Sequence, residues 1–166
     1  LRRTQYRKAD SEVDSLDLAK CFIIGKIVNC RTVLGRGIRD HGDVIDVSKI
    51  RSADDLLIDN LRNIDSCLNS DSLRGIEGNS AKFYFNVLDE LILKQKDSFF
   101  ILNRNRRPPL DNMNSLLSFL YTLLAHDVES ALETVGLDPY VGFFHTDRPG
   151  RPSLALDLME ELRPFM

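Results

Sequence analysis

DSLDLAKCFIIGKIVNCRTVLG, residues 14–35, decides the class of the fold. Leu16, Ala19, Ile23, Ile27, Cys30 and Leu34 recur at spacings of three and four, which places them on one face of a helix. Asp14 or Ser15 is positioned to cap its start, and Gly35, Gly37 and Gly42 are expected to weaken its end. On the N-terminal side lies a basic opening, LRRTQYRK. On the other side Ile50, Ala53, Leu57, Leu61, Ile64 and Leu68 form a second stripe, predicting a helix from about Ser48 to the polar stretch at Asn69. A third helix is expected over residues 72–93, SLRGIEGNSAKFYFNVLDELIL, with its pattern interrupted at Gly75 and Gly78. A polar loop from Lys94 to Leu110 ends in two prolines, and Asp111 then offers a cap. The long helix that follows carries Leu116, Leu120, Leu124, Val128, Ala131 and Val135 and stops at Gly136. DPYVGFFH is a short apolar run and TDRPGRPS a turn-rich loop, after which SLALDLMEELRP restarts a helix with Ser153 as its expected cap. No segment alternates with period two, so the fold class is mainly α, one helical domain over residues 1–166.

Composition bounds the function. The chain has 166 residues, 43% hydrophobic and 28% charged, enough for one domain with its own core. No apolar run reaches the roughly 18 residues of a membrane span, and Leu1 to Lys8 are charged where a signal peptide turns apolar, so a soluble cytoplasmic protein is expected. A formal net charge of −3 argues against coating nucleic acid through global charge and leaves room for a local basic groove. Cys21, Cys30 and Cys67 lack the paired spacing of a zinc or redox site and are expected to be small buried residues in a reducing compartment. The chain begins at a leucine and stops at Met166, just after Arg163-Pro164, as an excised piece of a longer protein does.

Three places carry chemistry. Glu77 shares a helical stripe with Leu73, Ala81, Tyr84 and Leu88, so it must be protonated, paired or bound to a cation; a core-edge glutamate paired with an arginine satisfies the same pattern. His145 closes the apolar run VGFFH and opens a loop with two prolines, where an imidazole can be held rigidly at a cleft or serve as a hydrogen-bonded structural residue. Asp157 lies three residues before Glu160 and four before Glu161, behind Leu154, Leu158 and Leu162, so like charges stack on one helical face, solvated or bridged by a cation. Two carboxylates and one imidazole make a mixed oxygen and nitrogen set suited to Mg²⁺ or Mn²⁺ and without the thiolates that favour zinc. Such a cation serves phosphodiester chemistry, and Arg104, Arg106 and Arg107, with Lys20, Lys26, Arg31, Arg36 and Arg39 on the first helix, are candidates to hold phosphates.

GIEGNSAKFYF (75–85), RRPPLDNMNSLLSFLYTLL (106–124) and VGFFHTDRPGRPSLALDLMEELRP (141–164), in this order, resemble the CRISPR-associated spacer-acquisition integrase, the first of the numbered CRISPR-associated protein families. The resemblance implies a metal-dependent DNA endonuclease and integrase that inserts spacer DNA into a CRISPR array by phosphodiester transesterification. By position it implies Glu77, His145 and Glu160 as metal ligands, with Asp157 as a further catalytic acid one turn earlier. The family often has aspartate where Glu160 stands, and the choice between Glu160 and Glu161 is open. It also implies an N-terminal β-domain and final C-terminal helices that this stretch lacks, a homodimer of the full-length protein, double-stranded DNA as substrate and the second CRISPR-associated protein as partner. LGRGIRDHG matches the family least well.

A non-enzymatic helical module binding DNA or protein, or a metal-dependent nuclease outside CRISPR immunity, are the rival readings. Only an enzyme needs Glu77, His145 and Glu160 to converge, and these three are expected to face one cleft. Because the last helix ends within a turn of Glu160, that residue is expected to be the least fixed of the three.

Overall fold

Residues 14–35 lie inside the longest helix of the protein, α2 (Glu12–His41), 30 residues in the computed structural model, which describes all 166 residues. The elements in order are α1 (Arg2–Ala9), α2, α3 (Val47–Asn63), α4 (Ser70–Leu88), a 3-10 turn (Asp89–Leu91), α5 (Asn112–Thr134), α6 (Ser153–Leu162) and a final 3-10 turn (Arg163–Phe165). There is no strand, and no helix is long and apolar enough to cross a membrane.

The basic opening forms its own helix, α1, so α2 starts earlier than its apolar stripe suggests. Ser11 is the break between them and caps α2 by accepting the Asp14 N–H, the role expected of Asp14 or Ser15. Gly35 and Gly37 do not end α2, although each costs about 1 kcal/mol of helix propensity. Leu34 is fully buried beside them, and Gly37 lets Leu91 approach so closely that a Cβ there would lie 2.4 Å from Leu91 Cδ2. Tertiary packing overrides local propensity here.

The caps of α3, α4 and α5 are side-chain oxygens: Asp46 accepts from Lys49, Asn69 from Ser72 and Asp111 from Asn114. Gly75 and Gly78 leave α4 unbroken. At α6, Pro152 takes the capping position, and Ser153 is the first helical residue, its hydroxyl donating to the Thr146 carbonyl. The expected stripe on α5 is displaced: Asn114, Leu117, Val128 and Leu132 face the core, while Leu116 and Val135 are exposed.

Helix α2 is the centre, packing against α1, α3, α4 and α6, while α3 packs on α4 and α5 on α6. One core joins α2, α3 and α4 through residues such as Ile23, Ile27, Leu57 and Leu73, each worth about 1.5–3 kcal/mol when fully buried. A smaller core of Val128, Leu132, Leu154, Ala155 and Met159 joins α5 to α6. Helix α6, docked on α2, brings the two together. Of the cysteines Cys30 and Cys67 are buried as expected, and Cys21 is exposed because it falls on the outer face of α2.

Candidate active site

The acidic face of α6 points inward. Asp157 is fully buried and Glu160 is 2% exposed, whereas Leu162, on the stripe expected to face the core, is 38% exposed. Buried carboxylates need partners, and each finds a full set. Asp157 Oδ2 accepts the backbone N–H groups of Phe143 and Phe144, and Oδ1 accepts the His145 N–H at 2.8 Å and the ring nitrogen Nδ1 at 2.7 Å. Four donors fill its acceptor sites, so Asp157 positions the 143–145 segment and has no lone pair left for a direct metal contact. Gly142 makes this crossing possible, since a Cβ there would lie 2.8 Å from Asp157 Oδ2 and from Ser153 Cβ. With Asp157 accepting from Nδ1, the other ring nitrogen of His145, Nε2, is turned towards Glu160, whose Oε1 is 3.8 Å away.

The second half of the cluster is built around Lys26. Position 26 lies on the inward stripe of α2, and the side chain is 5% exposed. Its ammonium donates to Glu160 Oε2 at 2.7 Å and to Glu77 Oε1, joining α4 and α6 through α2. Arg163 Nη1 holds the other oxygen of Glu160 at 2.5 Å while its guanidinium lies over the Tyr121 ring. Burial raises the pKa of Glu160, but the charges of Lys26 and Arg163, the Lys26 hydrogen bond and His145 outweigh it and hold the carboxyl below its ordinary value. Burial likewise pulls Lys26 down, and Glu160 and Glu77 together hold it above its ordinary value. Lys26 and Arg163 face Glu77, Asp157 and Glu160, which leaves one negative charge uncompensated while the imidazole is neutral.

Glu77, His145 and Glu160 therefore converge, but they do not face one open cleft, because Lys26 fills the space between the two carboxylates. No three side chains of His, Cys, Asp or Glu stand in coordinating geometry. Glu160 belongs to this cluster, while Glu161 lies against Gly25 on α2, where burial raises its pKa. Glu160, expected to be the least fixed of the three, is more deeply buried than Glu77 or His145, since α6 is docked along α2.

The arginines divide. Arg104 is turned inward, donating to Asn105 O, Asn114 Oδ1 and Ser118 Oγ and lying over Tyr121. Fully buried Asn114 organises this loop, accepting the Asn105 N–H and donating to Asn103 O and Asp111 Oδ2. Arg106 and Arg107 are exposed, have no acidic partner, and with Arg104, His126 and Arg163 line a cleft of about 550 Å³. Arg106, Tyr121 and Arg163 also line the small cavity that reaches Lys26, so this basic cleft abuts the ionic cluster. His145 borders a separate cleft of about 520 Å³.

Lys26 and Arg31 do not serve as free phosphate contacts. Lys26 is buried in its two ion pairs, and Arg31 is paired with Asp54 of α3 at 2.7 and 3.2 Å. Of the other basic residues of α2, Lys20 donates to Asp65 O, and Arg36 and Arg39 pair with Asp40. Sequence reasoning missed Lys26 as a counter-ion and Arg163 altogether. The signals were a lysine on an apolar stripe beside Ile23, Ile27 and Cys30, and an arginine three residues after Glu160.

The profile of the family described as CRISPR associated protein Cas1 matches residues 1–166. A CRISPR-associated endonuclease Cas1 of Chlorobaculum tepidum is 50% identical over 100% of the chain and 48% of its own length. The chain thus spans about half the length of that curated relative. Among solved structures, a casposase bound to integration product superposes with TM-score 0.79 and 27% identity over 98% of this chain and 44% of its own. A partial Cas6-RT-Cas1–Cas2 complex does so with TM-score 0.83 and 28% identity over 96% and 45%.

Proposed function

Because this chain belongs to the Cas1 family, we propose that it is the helical catalytic part of a divalent-metal DNA endonuclease and integrase that inserts spacer DNA into a CRISPR array. The observation that carries this reading is the junction of α2, α4 and α6, where two carboxylates already share one cation beside an imidazole whose Nε2 is turned towards Glu160. The donor chemistry and the uncompensated negative charge fit a hard divalent cation, and Glu77, Glu160 and His145 are the residues that would hold it. Bound Mg²⁺ or Mn²⁺ supplies charge stabilisation to phosphodiester transesterification and favours ionisation of the attacking hydroxyl.

The chain's own residues do the rest. Asp157 fixes the His145 tautomer and ring, so that Nε2 is delivered without a conformational search. Arg163 fixes Glu160 from the other side. Arg106 and Arg107 hold the DNA backbone in the cleft next to the cluster, which reads backbone shape and strand ends more than bases. Double-stranded DNA is the substrate, a homodimer of the full-length protein the working form, the second CRISPR-associated protein the partner and the prokaryotic cytoplasm the compartment. Support for the DNA and for the partner comes from the relatives solved with an integration product and as a Cas1–Cas2 complex.

The test is strand transfer of a labelled duplex into a supercoiled CRISPR-array plasmid, using the full-length protein with Mn²⁺. Glu77→Ala and His145→Ala each abolish transfer and cleavage while DNA binding largely survives, since the basic cleft is untouched. Near-normal turnover in either variant would make the substituted residue structural and overturn its place as a metal ligand.

A further inference from the structure

Lys26 is the member of the ionic cluster for which the proposed chemistry has no use. It comes from the middle of the central helix, and its ammonium reaches two carboxylates on two other helices. A lysine on a buried apolar stripe is costly to desolvate, so its placement between Glu77 and Glu160 answers a need of those carboxylates. The need is plain from the geometry: without a cation between them, two carboxylates meet at a dry junction beside the Asp157–His145 pair.

We propose that Lys26 is a resident counter-cation for the metal-binding carboxylates, holding Glu77 and Glu160 together in the metal-free protein and withdrawing from at least one of them when a divalent ion is held. The inference rests on the metal reading above. Space for a small displacement exists, since a cavity of about 20 Å³, room for roughly one water, lies beside Lys26 against Cys30, Tyr84, Tyr121, Arg106 and Arg163; it holds no acid, so the displaced ammonium keeps one of its two carboxylates as partner. The flexible four-carbon stem of lysine suits such a movement, whereas a planar guanidinium held at several points would resist it. Lys26 is thus a positioning residue that sets metal affinity by competition.

The experiment uses Lys26→Met and Lys26→Gln in the full-length protein, with Mn²⁺ as the probe, followed by electron paramagnetic resonance of free Mn²⁺ and by melting in EDTA and in saturating Mn²⁺. Both variants are expected to melt lower than the parent in EDTA, to regain that loss in Mn²⁺, and to bind Mn²⁺ roughly tenfold more tightly or better, because binding no longer displaces an ammonium. A variant that folds only when Mn²⁺ is added supports the proposal equally. Unchanged or weaker Mn²⁺ binding in both variants, or failure of both to fold at saturating Mn²⁺, overturns it. The two levels separate cleanly. If the parent binds Mn²⁺ and Glu77→Ala does not, but the Lys26 variants bind as the parent does, only this inference falls. If the parent binds no Mn²⁺, the metal reading falls and takes this inference with it.

Discussion

The junction of α2, α4 and α6 and the loop from Ile101 to Asp111 are both rich in charge, and they use it in opposite ways. At the junction every carboxylate is matched to a named donor and every cation to a carboxylate, so the charges face one another. In the loop Arg104 is absorbed by hydrogen bonds to backbone, asparagine and serine, while Arg106 and Arg107 face a cleft in which neither forms an ion pair, its one acid, Glu129, accepting from Tyr140. The contrast separates charge that organises a site from charge that waits for a partner. Neighbours in sequence fall on both sides of the divide, as Arg104 and Arg106 do.

The harshest way to break the contrast is to remove Asp157. Its loss leaves the N–H groups of residues 143–145 and the His145 ring without their acceptor in a dry site, at a cost of about 3–5 kcal/mol. Asp157→Ala is expected to lower the melting temperature by roughly 10 °C for a chain of this size, with Asp157→Asn in between. A loss of only one or two degrees would show that the 143–145 segment is held by something else.

Next in size is a pair of tests in the loop. Arg106→Ala with Arg107→Ala should leave melting unchanged, weaken duplex DNA binding by about tenfold at moderate salt, and reduce the slope of log affinity against log salt by about two. Arg104→Ala should instead cost about 1–2 kcal/mol of stability, since it removes the bonds to Asn114 and Ser118 and the stacking on Tyr121. If all three substitutions weaken DNA binding alike and none alters melting, the division of the arginines is wrong.

This division explains what was legible in the sequence. Helix identity was legible because Ile23, Ile27, Leu57 and Leu73 repeat at helical spacing over long windows. The ends were less so, because Ser11 caps a helix whose apolar stripe begins later, and because Gly35 and Gly37 are overruled by packing no local rule contains. At the site, Glu77, His145, Asp157 and Glu160 stood out as polar groups in apolar company, and the family resemblance named them. Lys26 and Arg31 look like phosphate contacts in a string of letters, because charge is visible there and its partner on another helix is not. The inward turn of the acidic face of α6 was hidden for the same reason.

A smaller effect tests how well the junction is sealed. Cys30 borders the cavity beside Lys26, and burial pushes its thiol up to about 12, so it is held as the unreactive thiol at pH 8. Cys21, nine residues earlier on the outer face of α2, is exposed. Iodoacetamide at pH 8 is expected to label Cys21 within minutes and to leave Cys30 unmodified for hours, as read by peptide mass spectrometry. Equal labelling would mean that the junction opens readily and that its charges meet water.

The smallest expected effect is one of pH, and its sign follows from the two shifted groups at the junction. Glu160 is held below its ordinary value of 4.5, so its pairing contributes stability that is fully present above that value and is lost as pH falls through the depressed one. Lys26 is held above its ordinary value of 10.5, so its contribution is fully present below that value and is lost only as pH rises through the raised one. Between these limits neither Glu160 nor Lys26 exchanges a proton on unfolding, and the pH slope of the junction comes from buried Cys30, whose thiol is pushed up to about 12, so that a little stability is lost as pH rises through its ordinary value of 9.0. Melting temperature measured from pH 7.5 to 9.5 should therefore change by no more than about 2 °C on account of this cluster. Lys26→Met removes the alkaline limit, so the parent and the variant should converge in stability once pH rises past the raised value at which the parent loses its own ammonium. A steady fall in parental stability already between pH 8 and 9.5 that the variant does not share would mean that the ammonium is far less firmly held than its two carboxylate partners require, and the junction would then resemble the loop it is contrasted with.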